Sequence, residues 1–398
     1  SNGHSLVLLE AATGKTIYTR QTEMNSMEVV FSPDGRLLAT PGKDNMVALY
    51  EADTGELIAH LGELKLSGQS EDRVSVRFLA FSPDGRVLAT SSSGDGKVRL
   101  WEVASGKEIV QLDGVKHCGD GEQTWCDSCV MTFSPDGCMV ATAVPERNFR
   151  KGVDLAVTLW EVPTGKEITR LAGHRNFIRA LAFAPDGKTL ASGGDDLTCL
   201  VWDVAAAAGR SRLAATGSLP PKSLSKEQLK AAWAELASTD AAKAYQAIRT
   251  LRATPGQAVP LLKGRVRSAV PVADPKQVAR WIADLDNESF AVREKAQRAL
   301  ERLGEPVIPA LRQALADQPP LETKRRLQKA LAAVEPKLVT NSPERLRQIR
   351  VVQVLESIAT SEAQQELQTL ANGVAEVSLA REAQAALARL ARRSASAP

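Results

Sequence analysis

The chain has 398 residues, of which 43% are hydrophobic and 24% charged, with 50 Lys+Arg against 47 Asp+Glu for a net charge of +3. That length is ample for two packed domains, and no run approaches the roughly 18 uncharged apolar residues that a membrane span needs. The near-neutral total conceals a division: residues 1–209 hold 20 Lys+Arg against 28 Asp+Glu (net −8), and residues 210–398 hold 30 against 19 (net +11).

Residues 5–20, SLVLLEAATGKTIYTR, read as two strands around a Thr-Gly turn. Next comes FSPDGRLLAT (31–40), which returns as FSPDGRVLAT (81–90), FSPDGCMVAT (133–142) and FAPDGKTLAS (183–192). The phenylalanines at 31, 81, 133 and 183 are 50, 52 and 50 residues apart, so one multi-element unit is stacked on copies of itself. Before each PDG stands an alternating run such as VSVRFLAF (74–81), the pattern of a half-buried strand. Ser-Pro-Asp-Gly is a tight turn, because proline presets φ and glycine accepts a conformation closed to other residues. A second strand (RLLAT, KTLAS) follows, then a third in MVALYEA, KVRLWEV, AVTLWEV and TCLVWDV. A turn and fourth strand close the first three units in DTGELIAHL, ASGKEIVQL and PTGKEITRL, whereas the last unit shows no clear fourth strand. Four antiparallel strands per unit make a propeller blade.

The third strands end in Tyr50-Glu51, Trp101-Glu102, Trp160-Glu161 and Trp202-Asp203, and an aspartate stands six residues before each aromatic, at Asp44, Asp95, Asp154 and Asp196. On these residues the four units resemble WD repeats. The resemblance implies a turn-stabilising role for the four aspartates and, in the last blade, a structural tetrad of His174, Ser192, Asp196 and Trp202; the other blades lack the histidine. Rings of this family usually hold about seven blades, so four repeats plus a two-strand remnant imply an N-terminally incomplete propeller, with an open arc as the alternative. A peptide-binding face is expected on the loops entering each first strand, at Arg73, Arg175, Asn176 and Phe177.

Catalytic residues are not expected. His4, His60, His117 and His174 are the four histidines, and there is no G-x-S-x-G, no H-E-x-x-H and no phosphate-cradling glycine loop. Aspartates that recur blade by blade suit structure, whereas a reaction centre is a unique constellation. HCGDGEQTWCDSC (117–129) is the one local anomaly. His117, Cys118, Cys126 and Cys129 could form a zinc set, and Cys118 could pair with Cys126. The C-x7-C spacing and the strand position of Cys129 count against zinc, and free thiols are the favoured reading. No cofactor is expected.

Small residues and prolines over 208–224 read as a linker, after which the apolar period shifts to 3.6. Ser225, Asp240 and Asp274-Pro275 are helix starts, and helices continue to 393 before a disordered tail at 394–398. Residues 281–315 resemble a HEAT repeat, with Val292, Ala296, Ala299, Leu300 and Leu303 at helical spacing and Gly304 as its break; a second copy is sought at 351–391. The expected architecture is therefore a β-propeller over 1–207 and a HEAT-like helical solenoid over 225–393. Lys324-Arg325-Arg326 and Arg345-x-Arg347-x-x-Arg350 are the densest basic spots. They could attract nucleic acid, but no aromatics interleave them, and basic helices that complement the acidic blades are the favoured reading.

The combination resembles bacterial proteins, best known from planctomycetes, that append a WD-repeat region and a helical tail to other modules. Repeats without chemistry make a non-enzymatic protein-interaction scaffold the first expectation, placed in the cytoplasm. The alternative is the regulatory or sensory tail of a larger enzyme or transcription regulator with a sigma-factor-like or kinase-like N-terminal module.

Overall fold

The computed structural model describes residues 4–22, 28–42, 46–62, 76–92, 97–112, 130–143, 146–148, 152–207, 223–266, 274–303, 307–317, 319–334, 339–340, 342–372 and 377–395. Asp44, Arg73, Asp95, Gly304, the cysteine-rich stretch 117–129, most of the linker and the last three residues lie outside these.

The N-terminal residues form a hairpin of β1 (His4–Leu9) and β2 (Thr16–Thr22). Sheet one runs in order β3 (Val30–Phe31), β4 (Leu37–Pro41), β5 (Val47–Glu51) and β6 (Leu57–Leu61). Sheet two is β7 (Val76–Phe81), β8 (Val87–Ser92), β9 (Val98–Glu102) and β10 (Lys107–Gln111). Sheet three contains β11 (Val130–Phe133) and β12 (Met139–Ala143), then β15 (Val157–Glu161) and β16 (Glu167–Leu171). Between β12 and β15 a small hairpin intrudes, β13 (Glu146–Asn148) with β14 (Gly152–Asp154). Sheet four has three strands, β17 (Ile178–Phe183), β18 (Thr189–Gly194) and β19 (Cys199–Asp203). All pairings are antiparallel.

The repeated decapeptide is a self-contained turn. In sheet two Ser82 Oγ lies 2.6 Å from Asp84 Oδ1 and accepts the Val87 N–H at 2.9 Å, while Asp84 Oδ1 accepts the Arg86 N–H at 3.1 Å. Gly85 sits at φ +73°, where a side chain would be strained. Ser32 and Ser134 make the same bonds, whereas Ala184 drops the hydroxyl and leaves Asp186 to hold the Lys188 N–H.

Alternation along each strand assigns its side chains to two faces. In sheet one Leu37, Ala39, Val47 and Leu49 face sheet two, where they meet Leu88, Trp101 and Val103; Leu38, Ala48 and Tyr50 face the N-terminal hairpin and its Leu6. Sheet three likewise turns Ala141, Val157 and Leu159 toward Ile178, Leu190 and Trp202 of sheet four. First strands lie beside one another, so the sheets follow in chain order as an arc. Between sheets one and two, Glu28 is hydrogen-bonded to the backbone of Leu79. Its Oε2 is buried without a partner, and burial pushes the carboxyl up to about 7.

The helical region comprises α1 (Lys226–Glu235), α2 (Ala241–Arg252), α3 (Pro255–Val266), α4 (Pro275–Asp284), α5 (Phe290–Leu303), α6 (Ile308–Ala316), α7 (Leu321–Val334), α8 (Pro343–Ile358), α9 (Ser361–Ala371) and α10 (Val377–Ala395). Ser225 caps α1 in a capping box, and Asp240 and Asp274 cap α2 and α5's predecessor α4. A solenoid stacks its helices in chain order; here α8 returns to pack on α2 and α3, and α9 and α10 pack on α8. Helices α4–α7 enclose their own core around Val278, Leu285, Leu300, Leu311 and Leu327, so they form a four-helix insertion in the expected run. Ala296 and Leu300, on the helical stripe read within residues 281–315, are buried there.

The rest of the helical region is not a separate body. One hydrophobic core holds Val87, Leu100, Phe133, Val140 and Trp160 of sheets two and three together with Leu236, Tyr245, Leu251, Val351 and Leu367 of the helices. Each such side chain removed from water contributes about 1.5–3 kcal/mol, which is why the helices dock.

Candidate interaction surface

Strand topology gives the arc two ends. Turns joining first to second and third to fourth strands lie at one, the PDG end; turns joining second to third strands, and the connections between sheets, lie at the other. The helical region covers the PDG end of sheets two and three.

Arg350, fully buried on α8, donates through Nε and Nη2 to both oxygens of Glu102 at 2.8 and 2.6 Å, and through Nη1 to the carbonyls of Leu236 and Ser238 at 2.8 and 2.6 Å. One guanidinium thus pairs a sheet-two carboxylate and satisfies carbonyls past the end of α1. Glu102 occupies the third-to-fourth-strand turn, where it also accepts the Ser105 hydroxyl at 2.5 Å. Glu51 and Glu161 hold Thr54 and Thr164 in the same manner but stay partly exposed.

Beside it, Arg86 of the SPDGR turn donates to Glu356 Oε2 and Glu382 Oε1, both at 2.8 Å, and Arg389 donates to both oxygens of Glu356 at 2.9 and 2.8 Å. Burial alone would lower the Arg86 pKa, but Glu382, Glu356 and Asp84 hold it above the ordinary arginine value. Burial likewise raises Glu382, and the Arg86 and Arg389 charges bring it below the usual carboxylate range. Backbone joins in: Thr340 N–H donates to Ala104 O at 2.7 Å. A cleft of about 160 Å3 remains, lined by Pro33, Pro83, Pro135, Asp34, Asp84, Arg389 and Arg392. In sheet three Arg252 donates to Cys138 Sγ at 2.7 Å, and burial, with Asp136 nearby, pushes that thiol up to about 11, so it stays protonated.

Two arginines of the basic spots also have partners within the chain, whereas Lys324 and Arg325 are exposed. Arg347 pairs with Glu344 at 2.6 Å and lies 5.0 Å from the Trp233 ring centre; Arg326 pairs with Glu322 at 2.9 Å and lies over Phe290.

At the opposite end the four tetrad residues of sheet four come together. Trp202 Nε1–H donates to Ser192 Oγ at 2.8 Å, Ser192 Oγ lies 2.7 Å from His174 Nε2, and His174 Nδ1 lies 2.9 Å from Asp196 Oδ2. With the Ser192 oxygen accepting from tryptophan, its proton goes to Nε2 and Nδ1–H to aspartate, which specifies one neutral tautomer. The order Ser-His-Asp matches a hydrolase triad in composition, but Ser192 is 1% exposed and its oxygen already accepts the indole N–H, so it cannot reach a substrate. Asp196 accepts from Thr198 Oγ1 at 2.7 Å and from the Arg175 N–H at 2.8 Å; these bonds, together with the histidine, hold its carboxyl well below the usual range. Trp101 and Trp160 make the equivalent bond to Thr90 and Thr142 at 2.9 and 2.8 Å. Where Tyr50 replaces tryptophan, Thr40 Oγ1 is buried without a partner, since no indole N–H reaches it.

Of the other turn aspartates, only the backbone of Asp154 is described. It ends β14 opposite Glu146 rather than sitting in a tight turn, because 27 residues separate Phe133 from Trp160 against 20 between Phe81 and Trp101.

Arg175, Asn176 and Phe177 enter β17 at this end, and the Arg175 and Asn176 side chains are exposed. Reading the sequence missed their neighbours. Arg179 pairs with Asp195 through Nε and Nη2 at 2.9 and 2.7 Å and stacks on Phe177 at 5.6 Å. Leu197 is 97% exposed with φ +61°, a left-handed conformation unusual for a leucine. Only its DD-L-T context, a turn after a strand, hinted at it.

Residues 63–102 and 165–203 match the family model described as WD domain, G-beta repeat. The chain carries WD repeats. Its curated relatives include nuclear distribution protein PAC1 of Arthroderma otae, 28% identical over 190 residues that make up 48% of this chain and 38% of that protein. Small ribosomal subunit protein RACK1y of Oryza sativa subsp. japonica is 30% identical over 155 residues, 29% of this chain and 44% of that protein. Cell division cycle 20.6, cofactor of APC complex, of Arabidopsis thaliana is 27% identical over 176 residues, 44% and 37% of the two chains. The chain spans less than half the length of each of these relatives. Among the described residues, no helix is long and apolar enough to cross a membrane, and no group of three His, Cys, Asp or Glu could hold a metal; the stretch containing His117, Cys118, Cys126 and Cys129 lies outside them.

Proposed function

We propose that this chain is a non-enzymatic protein-interaction scaffold whose helical region covers the PDG end of sheets two and three and leaves the opposite end of the repeats to a protein partner. The observation that carries this reading is the fully buried Arg350–Glu102 pair inside a core shared by sheets and helices, which makes the helical region a fixed cap and the other end the exposed one. Relatives named as a ribosomal subunit protein and as the cofactor of a complex are in keeping with it. On sheet four the contact residues are Arg175, Asn176, Phe177 and Leu197: an exposed leucine held in a left-handed turn beside an arginine-stacked aromatic makes a compact anchor.

A photo-crosslinking residue placed at Leu197, and in a second preparation at Pro33, tests this. A protein partner crosslinks from position 197 and not from 33, and Phe177→Ala reduces capture at least tenfold with the fold intact. Crosslinking from position 33 alone, or capture indifferent to Phe177, would overturn the assignment.

A further inference from the structure

The cleft between α10 and the PDG turns keeps polar groups that the docking of the helices does not engage. Its apolar wall is a row of proline rings, Pro33, Pro83 and Pro135, one from each of sheets one to three. The row is continuous because consecutive turns lie against one another: a Cβ placed on Gly85 would stand 3.5 Å from Pro33 Cδ, and one on Gly137 3.9 Å from Pro83 Cδ. The turns also contribute Asp34 and Asp84, and α10 contributes Arg389 and Arg392. Asp84 already has Arg86 at 3.6 Å. Asp34 uses Oδ1 within its own turn, accepting the Ser32 hydroxyl at 2.6 Å and the Arg36 N–H at 3.1 Å, and no described residue donates to its Oδ2. Arg389 commits Nε and Nη2 to Glu356, and no described residue accepts from its Nη1. One carboxylate and one guanidinium thus line the same small space with hydrogen-bonding capacity left over.

We propose that this cleft binds a small zwitterion, a free α-amino acid, with its ammonium on Asp34, its carboxylate on Arg389 and Arg392, and its short side chain on the proline rings. Size decides the class. At about 30 Å3 per water the cleft's 160 Å3 holds about five waters, room for a ligand of about five to eight heavy atoms and too little for a nucleotide or a peptide segment. Charge decides the rest: a simple carboxylate would meet the arginines but set a second anion beside Asp34, and a simple amine would meet Asp34 but set a second cation beside the arginines. A molecule carrying both charges makes charge-assisted bonds to each wall. Because the walls come from three sheets and from α10, occupancy ties the helical region to the repeats and stabilises the docked state by mass action. The site lies at the end away from Phe177 and Leu197 and does not depend on the partner proposed there.

Isothermal titration calorimetry of the full chain with glycine, alanine, serine and proline tests the proposal, with propionate and ethylamine as single-charge controls. At least one of the four amino acids should bind, raise the melting temperature as its concentration rises, and bind about tenfold or more tightly than either control. Asp34→Asn keeps the Oδ1 acceptor of the turn and removes the outer charge at an exposed position. It should weaken the amino acid about tenfold or more, while far-UV circular dichroism and the ligand-free melt stay as in wild type. No heat with any of the four amino acids, propionate binding as tightly as alanine, or an affinity unchanged in Asp34→Asn would each overturn it.

Discussion

Sheets two and four are written in closely similar residues, FSPDGRVLAT with KVRLWEV and FAPDGKTLAS with TCLVWDV, yet β9 is buried along its whole length while β19 alternates between exposed and half-buried. Sheet two has a neighbour on both faces and helices across its PDG end; among the described residues, sheet four has a neighbour on one face. The difference teaches that the repeat encodes a strand's local geometry and its two faces, while the surroundings decide which faces are dry. Polar residues diverge accordingly. Glu102 and Arg86, buried in sheet two, carry ion pairs across 248 and 270 residues of chain, whereas sheet four keeps its polar network local, between His174 and Trp202.

The contrast breaks most sharply at Arg350. Arg350→Met leaves the Glu102 carboxylate buried and unpaired and should cost about 3–5 kcal/mol in denaturant unfolding, most of it restored in the double variant with Glu102→Met. Glu161→Gln, at the same place in a more exposed turn, should cost less than about 1 kcal/mol. In sheet four, His174→Ala strands Ser192 and should cost about 2–3 kcal/mol; hydrogen exchange should quicken in β17–β19 and leave the amides of α8 unchanged.

A smaller effect separates the sheets by pH. Glu28, raised from 4.5 to about 7 by burial, stabilises the fold while protonated. Its contribution is whole below pH 4.5 and is lost as pH rises through 7, because the folded state must then ionise a carboxyl with a buried oxygen. The part still in water tempers the loss to roughly 1–2 kcal/mol, and Glu28→Gln should flatten the stability profile between pH 5 and 8 without touching sheet four. Smallest of all, Ala184→Ser supplies the hydroxyl that Ser82 provides in sheet two and should stabilise by about 0.5–1 kcal/mol in a thermal melt.

Elements whose cause is local were legible before any coordinates. Serine, aspartate and glycine of the PDG turn act on backbone within five residues, and the tetrad lies within one repeat, so the resemblance to WD repeats was enough to point to His174, Ser192, Asp196 and Trp202. Long-range docking was not. Arg36 and Arg86 stand in the same SPDGR motif, and nothing beside them says that one is exposed while the other meets Glu356. Arg345-x-Arg347-x-x-Arg350 read as a dense patch of positive charge because periodicity identifies a helix face without naming its partner. The α4–α7 insertion escaped for the same reason: its helices have ordinary caps and stripes, and only contact with α8 shows that the chain leaves one core and returns.

That return has a consequence in time. Glu102 is synthesised 248 residues before Arg350, an interval of roughly 12–50 s at about 5–20 residues per second. Through that interval the PDG end of sheets two and three must wait at the ribosome with its apolar side chains uncovered, so a nascent chain stalled before α8 should engage chaperones that the finished protein does not need.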